Sequence, residues 1–452
     1  MYQAVKKVIN KMYGKIKIAD ILKFIILYSI VVSFGHSLVG IPLTFLYLND
    51  FLLVVVFIVC GEHILKNQIL PIPKALALVI LALLAVTIIG FVVNLYSPLL
   101  YLWGVRNNFR GFVYFVACCI CLKKKDIYDI CNLLLKLLPI NVVLCTVQYF
   151  AALNSGDARM QMFVGDYVGG IFGGYQSCNR MLNIYLLFVY LWAFAMYMKK
   201  NLPASRFVFI LACSVYIAIL SELKVVVLEV LIGSVALVWI LRRRRGKLFY
   251  TVAIIAGLLL LINVWSIFNP ALAELFSSIE MIIEYSSANS YGEESLNRLT
   301  VIPTVYELFL EGSPLKVLFG IGMGNADSSN YAFLTSQNFI KYGYLKYSYF
   351  MSGILFAETG ALGLLLYFMI FVANFLHAAK CIKKYSDTDA VAYAGTVFNL
   401  IAIVCILYNT TLRSEVSNYL AFFFLAIPIV MANRGDDEQG KILSTKQITK
   451  RD

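Results

Sequence analysis

The stretch FNPALAELFSSIEMIIEYSSANSYGEESLNRLTVIPTVYELFLEGSPLKVLFGIGMGNADSSN (residues 268–330), continued by YAFLTSQNFIKYGYLKYSYFMSGILFAETGALGLLLYF (331–368), decides how the rest of the chain reads. Polar residues crowd the span from Phe268 to Glu358, and apolar runs of membrane-crossing length lie on both sides. Compact proteins rarely keep long structureless connections, and those they keep are usually functional. Apolar residues at helical spacing (Leu272, Leu275, Phe276, Ile279, Ile282, Ile283) predict a helix over 270–286. A second helix-like run opens at Arg298 and ends at Gly312-Ser313-Pro314. Gly320, Gly322 and Gly324 then ask for a tight backbone path. The expectation is a folded cap beside the membrane that carries much of the active site.

Outward from that stretch the chain is apolar. Of 452 residues, 61% are hydrophobic and 14% charged, against roughly 25% charged in a soluble domain. The fold class expected is therefore an all-α polytopic membrane protein. The first twenty residues form a basic lead-in without a small-residue cleavage site. A net charge of +13 would suit nucleic acid, but the cations gather in short loops between apolar runs, so the bilayer is the expected partner. Most of the 10 Cys sit in apolar runs with no CxxC pair and no His at metal spacing. They read as buried thiols, and no metal is expected.

A membrane helix needs roughly 17–25 apolar residues, which gives about twelve spans. They fall at about 18–38, 43–60, 74–94, 108–122, 130–151, 179–198, 206–220, 225–241, 248–268, 360–379, 390–408 and 416–432. Alternate connections collect the dense basic clusters: Lys66 with Lys74, Lys123 to Lys125, Lys199, Lys200 and Arg206, Arg242 to Arg245, and Lys380 to Lys384. By the positive-inside rule these are cytoplasmic, as are both termini. The expected organisation is a basic N-terminus (1–17), nine spans (18–268), an outer loop (269–358), three spans (359–433) and a cytoplasmic tail (434–452).

Outward-facing cations are then few. Arg180 lies just inside the start of a span, and Lys224 lies between two nearly continuous spans. A cation at membrane depth is costly and usually faces a bundle interior or a water-filled cavity. Together with Arg298 in the loop, these two suit an anionic diphosphate headgroup, with Arg favoured for two-pronged phosphate contacts. Arg106, Arg110 and Arg413 are further candidates, although the first two also read as interface anchors and Arg413 as a partner of Glu415. Glu222 beside Lys224 reads either as half of a buried pair or as a base. Glu358 reads as a helix cap or as a glycan contact. Tyr349 belongs to a tyrosine run that suits an aromatic belt or stacking on sugar rings.

Four stretches, in this order, resemble the bacterial O-antigen ligase and O-antigen polymerase superfamily. GGIFGGYQSCNRMLNIYLL is similar to the family's glycine–aromatic approach to an Asn that opens a span, here Asn179. ILSELKVVVLEVLIGSVALV is similar to its Ser-x-basic lead into the next span, with Lys224 where many members have Arg. Arg298, followed by PLKVLFGIGMGN, is similar to its Arg…Pro-Leu…glycine-rich loop. YFMSGILFAETGALGLLLYF is similar to its Glu-x-Gly-x-x-Gly stretch after the long outer loop. Ligases of the family carry a His upstream of that Glu; here the place holds Tyr349, which points to the polymerase branch.

The resemblance implies glycosyl transfer at the outer leaflet of the bacterial cytoplasmic membrane. Undecaprenyl diphosphate-linked repeat units would be joined into O-antigen, capsular or exopolysaccharide. Arg180, Arg298 and Glu222 would carry the chemistry, and Lys224, Arg106, Arg110 and Arg413 would contribute to the diphosphate site. Asn179, Tyr349 and Glu358 would meet glycan. The phosphoglycosyl bond stores the needed energy, so no cofactor is implied. A flippase and a chain-length regulator are the implied partners. Two alternatives stay open: a ligase transferring glycan to another acceptor, and a lipid-linked oligosaccharide flippase. A flippase shares the span count and the interior cations but has no evident use for a long folded loop.

Overall fold

The computed structural model describes residues 17–67, 72–241, 244–268, 278–287, 294–384 and 389–433. The expected basic N-terminus up to residue 16, the tail 434–452 and loop stretches 269–277 and 288–293 lie outside the described residues, as do Arg242 and Arg243.

Every regular element among the described residues is helical. In chain order these are α1 (Ile18–Val39), α2 (Tyr47–Asn67), α3 (Lys74–Asn94), α4 (Pro98–Cys121), α5 (Lys124–Lys136) and α6 (Leu138–Leu153). There follow α7 (Ala158–Met162), α8 (Asn179–Met198), α9 (Ala204–Leu220), α10 (Val226–Leu241) and α11 (Arg244–Phe268). The long connection holds α12 (Ile279–Ser287), α13 (Val301–Phe309), α14 (Pro314–Phe319) and α15 (Gln337–Tyr342). The chain closes with α16 (Met351–Lys384), α17 (Ala390–Tyr408) and α18 (Glu415–Asn433).

Seven helices among the described residues are long and apolar enough to cross a membrane, or eight if α5 and α6, bent by 41° at their junction, count as one span. Pro139 follows that junction and lacks the N–H that a continuous helix would use. A helix lies at each of the places where the sequence puts a span. Burial then sorts the helices into layers. The apolar windows of α8 and α18 are 89% buried, whereas that of α3 is 28% buried. Phe188 of α8 stacks on Phe424 of α18 at 3.7 Å, while Phe51, Phe57, Leu78 and Leu81 on α2 and α3 stay exposed. Exposed apolar faces of this size suit helices that meet lipid rather than water.

Polar groups collect at the two ends of the bundle. At one end Lys23 pairs with Asp126 at 2.7 Å, beside a cavity of about 690 Å³ lined by Lys17, Lys123 and Lys125. The long connection sits at the other end. Its stretch 294–350 packs Leu296, Val301, Val305, Phe309, Leu345 and Tyr347 into one apolar cluster with Ile354, Phe356 and Ala357 of α16.

The expected loop runs to Glu358, but α16 begins at Met351. Glu358 is therefore not the first residue of a span. It lies inside α16, fully buried, just before a break at Gly360 (φ 65, ψ −169). The break frees carbonyls that an unbroken helix would use. Ile321 N–H donates to Ala357 O at 2.8 Å and Gly322 N–H to Glu358 O at 3.1 Å. The glycine-rich segment thus docks on α16 through backbone bonds. A Cβ at Gly360 would lie 2.4 Å from the Leu318 carbonyl carbon, and one at Gly324 would lie 1.9 Å from Leu100 O on α4. Close backbone approach is what these glycines supply.

Candidate functional site

A cavity of about 400 Å³ opens at the loop end of the bundle. Asn179, Arg180, Glu222, Lys224, Arg298 and Tyr349 all line it, with Asp166, Asn183, Tyr408 and Asn409. Four separate parts of the chain build it, and each is held in place by local bonds.

Arg180 comes from the first turn of α8. The glycine-rich segment leading into that helix is gripped by two polar side chains of α6. Gln148 Oε1 accepts from Gly169 and Gly170 N–H at 3.1 and 2.7 Å, and Asn141 Oδ1 accepts from Ile171 N–H at 2.9 Å. Asn141 and Gln148 went unnoticed in the sequence, where they look like isolated polar residues in an apolar run. A buried amide in a membrane helix is itself a signal, because it needs a partner. Arg180 then donates through Nη1 to Thr410 Oγ1 at 2.6 Å and through Nε to Ser177 O at 3.2 Å.

Lys224 sits in the tight reversal from α9 to α10. Glu222 adopts φ +49 there, and Lys224 N–H donates to Glu222 O at 2.8 Å. A left-handed backbone at a non-glycine residue costs about 1–3 kcal/mol and clusters at functional sites. Arg298 reaches the cavity from the long connection. Asn297 Oδ1 accepts from Leu299 and Thr300 N–H at 3.0 and 2.9 Å, forming a turn that aims the preceding chain. The Arg298 guanidinium lies over the Tyr408 ring, 4.1 Å from its centroid, a cation–π contact. Both arginines therefore rest on the segment that joins α17 to α18.

Two carboxyl groups share the cavity with these cations. Burial pushes the Asp166 carboxyl above its ordinary range, while the Asn179 amide, Arg180 and Lys224 pull it down. Burial likewise raises Glu222; Lys224 opposes this and the Asp166 charge adds to it.

Arg106, Arg110 and Arg413 lie elsewhere, in a network of ion pairs. Arg106 pairs with Asp50 at 2.6 Å and with Glu415. Arg110 pairs with Glu415 at 2.8 Å and donates to the Arg413 carbonyl. Arg413 pairs with Asp327 at 2.7 Å, and Asn107 Nδ2 donates to the same Asp327 oxygen at 2.7 Å. Arg413 is thus the partner of Asp327 rather than Glu415. Each of these cations already has a carboxylate, as buried charge requires. In the sequence Asp50, Asp327 and Glu415 give no sign that they meet these three arginines, because all but Glu415 and Arg413 lie far apart along the chain. Glu358 is not in the cavity either. Asn108 Nδ2 approaches its Oε2 at 3.4 Å beneath the glycine-rich turn.

An apolar cleft adjoins the cavity. Val225 lines the cavity and Val226 the cleft; Asn183 lines the cavity and Leu186 and Leu187 the cleft. The arrangement can hold a ligand that is anionic at one end and hydrocarbon at the other. No protein-family model matches the chain, and no curated protein matches it.

Proposed function

We propose that the protein is a membrane glycosyltransferase that joins polyprenyl diphosphate-linked oligosaccharide repeat units into a surface polysaccharide. The carrying observation is the convergence of Arg180, Lys224 and Arg298, from three distant parts of the chain, on one cavity beside an apolar cleft. A diphosphate needs converging cations; a polyprenyl tail needs an apolar path next to them. As the glycosyl–phosphate bond breaks, negative charge grows on the leaving diphosphate, and preorganised cations in a low-dielectric site stabilise that charge most. In this reading Glu222 and Asp166 are the acid–base candidates and Tyr349 is the glycan contact, while the Asn179 amide is bonded to Asp166 and Ser221. The ion-paired Arg106, Arg110 and Arg413 hold the loop to the helices in this reading, and Glu358 is structural.

The same reading takes twelve spans. It adds to the seven apolar helices the bent α5–α6 pair and the shorter apolar helices α9, α10 and Leu248–Leu260 within α11. The twelfth is α4, which has 24 residues and carries Arg106, Asn107, Asn108 and Arg110 around its middle. Both termini are then cytoplasmic and the cavity faces the outer side of the bacterial cytoplasmic membrane. Tyr349 favours polymerisation over ligation, because a phenol does not supply the imidazole that the ligase branch carries. The test is reconstitution of the full chain with synthetic undecaprenyl diphosphate-linked repeat units. A ladder of lengthened glycans is expected, while transfer only to a lipid A core acceptor would mean a ligase. No transfer to any acceptor by folded protein would sink the reading.

A further inference from the structure

Of the two carboxyl groups that line the cavity, Asp166 is the one whose carboxyl accepts a side-chain hydrogen bond among the described residues. The geometry points to Asp166 as the group that takes the proton from the attacking hydroxyl, with Asn179 as its positioning residue. This assignment rests on the glycosyl-transfer reading above.

Asp166 stands on the short turn Val164–Tyr167, between α7 and α8. Asn179, the first residue of α8, donates from Nδ2 to Asp166 Oδ1 at 3.1 Å and to Ser221 O at 3.3 Å. One amide thus ties the Asp166 turn to the α9–α10 reversal that carries Glu222 and Lys224. Asp166 Oδ2 is the oxygen left to the cavity. Backbone packing keeps the turn where it is: a Cβ at Gly165 would lie 2.6 Å from Glu222 Cβ. Cys178 Sγ also donates to the Asp166 carbonyl, at 3.6 Å. The groups facing the Asp166 carboxyl are Cys178, Asn179 and Arg180 from the start of α8, and Glu222 and Lys224 from the reversal.

The step balances without a co-reactant. The acceptor O–H bond breaks and its proton goes to Asp166 Oδ2. The freed oxygen pair forms the bond to the anomeric carbon. The bond from that carbon to the diphosphate oxygen breaks, and its electron pair leaves with the diphosphate, against Arg180, Lys224 and Arg298. Asp166 then returns the proton to solvent. A carboxylate serves here because the acceptor hydroxyl loses its proton only as the anomeric carbon becomes electron-poor. Asp166 lies beside the cations without being consumed by them, since Arg180 is also bonded to Thr410 and Ser177.

The test uses the purified full chain in lipid nanodiscs, with a synthetic polyprenyl diphosphate-linked repeat as donor and a second repeat as acceptor. Donor binding and single-turnover transfer are measured separately across pH. Asp166→Asn is expected to bind donor within a few-fold of wild type and to lose about 10²–10⁴-fold in transfer. Asp166→Glu should recover part of that loss. The acid limb of the pH–rate profile should lie above the ordinary carboxylate range, because the base must be ionised and burial raises it. Asn179→Ala should slow transfer and move the acid limb to higher pH, since the lost hydrogen bond favoured the ionised form. Glu222→Gln should move the acid limb to lower pH, as a like charge beside Asp166 is removed. Wild-type transfer by Asp166→Asn would overturn the assignment. So would loss of donor binding in parallel with rate, or abolition by Glu222→Gln while Asp166→Asn still transfers. A folded wild-type protein that transfers from no lipid diphosphate would instead overturn the glycosyl-transfer reading, and this assignment with it.

Discussion

Arg180 and Arg298 differ from Arg106, Arg110 and Arg413 in what they touch. Arg180 is held by Thr410 Oγ1 and Ser177 O, and Arg298 by the face of Tyr408. Arg106, Arg110 and Arg413 are instead engaged by Asp50, Glu415 and Asp327. A planar guanidinium can keep such a neighbour and still present a rigid two-pronged pair of donors to a diphosphate; an ammonium offers only a point charge with rotating donors. Arg180→Lys and Arg298→Lys are therefore expected to lose about 10²–10³-fold in polymer synthesis, the usual cost of one transition-state donor. Lys224→Arg should be tolerated, because a larger guanidinium still places charge at the same reversal. The glycan-length ladder from cells at matched expression reads this out. A wild-type ladder from Arg298→Lys would remove the residue from the diphosphate site.

At the level of elements, the break in α16 is what lets the long connection dock. Gly360 holds φ 65, and a Cβ there would overlap the Leu318 carbonyl at 2.4–2.5 Å. Gly320, with φ 74, faces it from the other side, where a Cβ would lie 2.4 Å from the Glu358 carbonyl carbon. An alanine at 360 carries both the left-handed backbone penalty and the cost of pushing two backbone segments apart, in sum about 2–5 kcal/mol. Gly360→Ala should lower the thermal midpoint in detergent and reduce the yield of folded protein. Substitution of the neighbouring Ala361, which is exposed, should do neither. An unchanged midpoint for Gly360→Ala would mean that the docked backbone is not a stability element.

On the scale of the whole molecule, the two polar ends make a topology prediction. The basic cavity with Lys17, Lys23 and Lys123 lies at one end, and Arg180, Lys224 and Arg298 lie at the other. With the positive end cytoplasmic, Ser328 in the glycine-rich loop faces outward. A Ser328→Cys protein should react with a membrane-impermeant thiol reagent in intact cells. Seven of the native thiols are buried and Cys121, Cys213 and Cys381 are half-buried, so the protein without the added cysteine is the labelling control. Labelling only after the cells are opened would invert the topology and put the cavity in the cytoplasm.

Composition and periodicity determine the class of fold, because solvent quality acts on averages. A chain that is 61% hydrophobic with apolar runs of bilayer length can only satisfy its backbone in lipid as helices. The places of the helices follow from those runs, and the polar interruption before α16 lies at the end of the bundle where the cavity of Arg180, Lys224 and Arg298 opens. Arg180, Lys224 and Arg298 could be singled out because an isolated cation near apolar sequence is costly and must have a reason to be there. Which cations meet each other was not legible. Arg106, Arg110 and Arg413 look no different in one dimension, yet Asp50, Asp327 and Glu415, distant in sequence, engage them in the fold. The same holds for Glu358, whose place depends on a break two residues later, and for Asp166, whose place depends on a single amide from Asn179. Pairing of buried charge is a property of distance in three dimensions, so only the tertiary structure decides it.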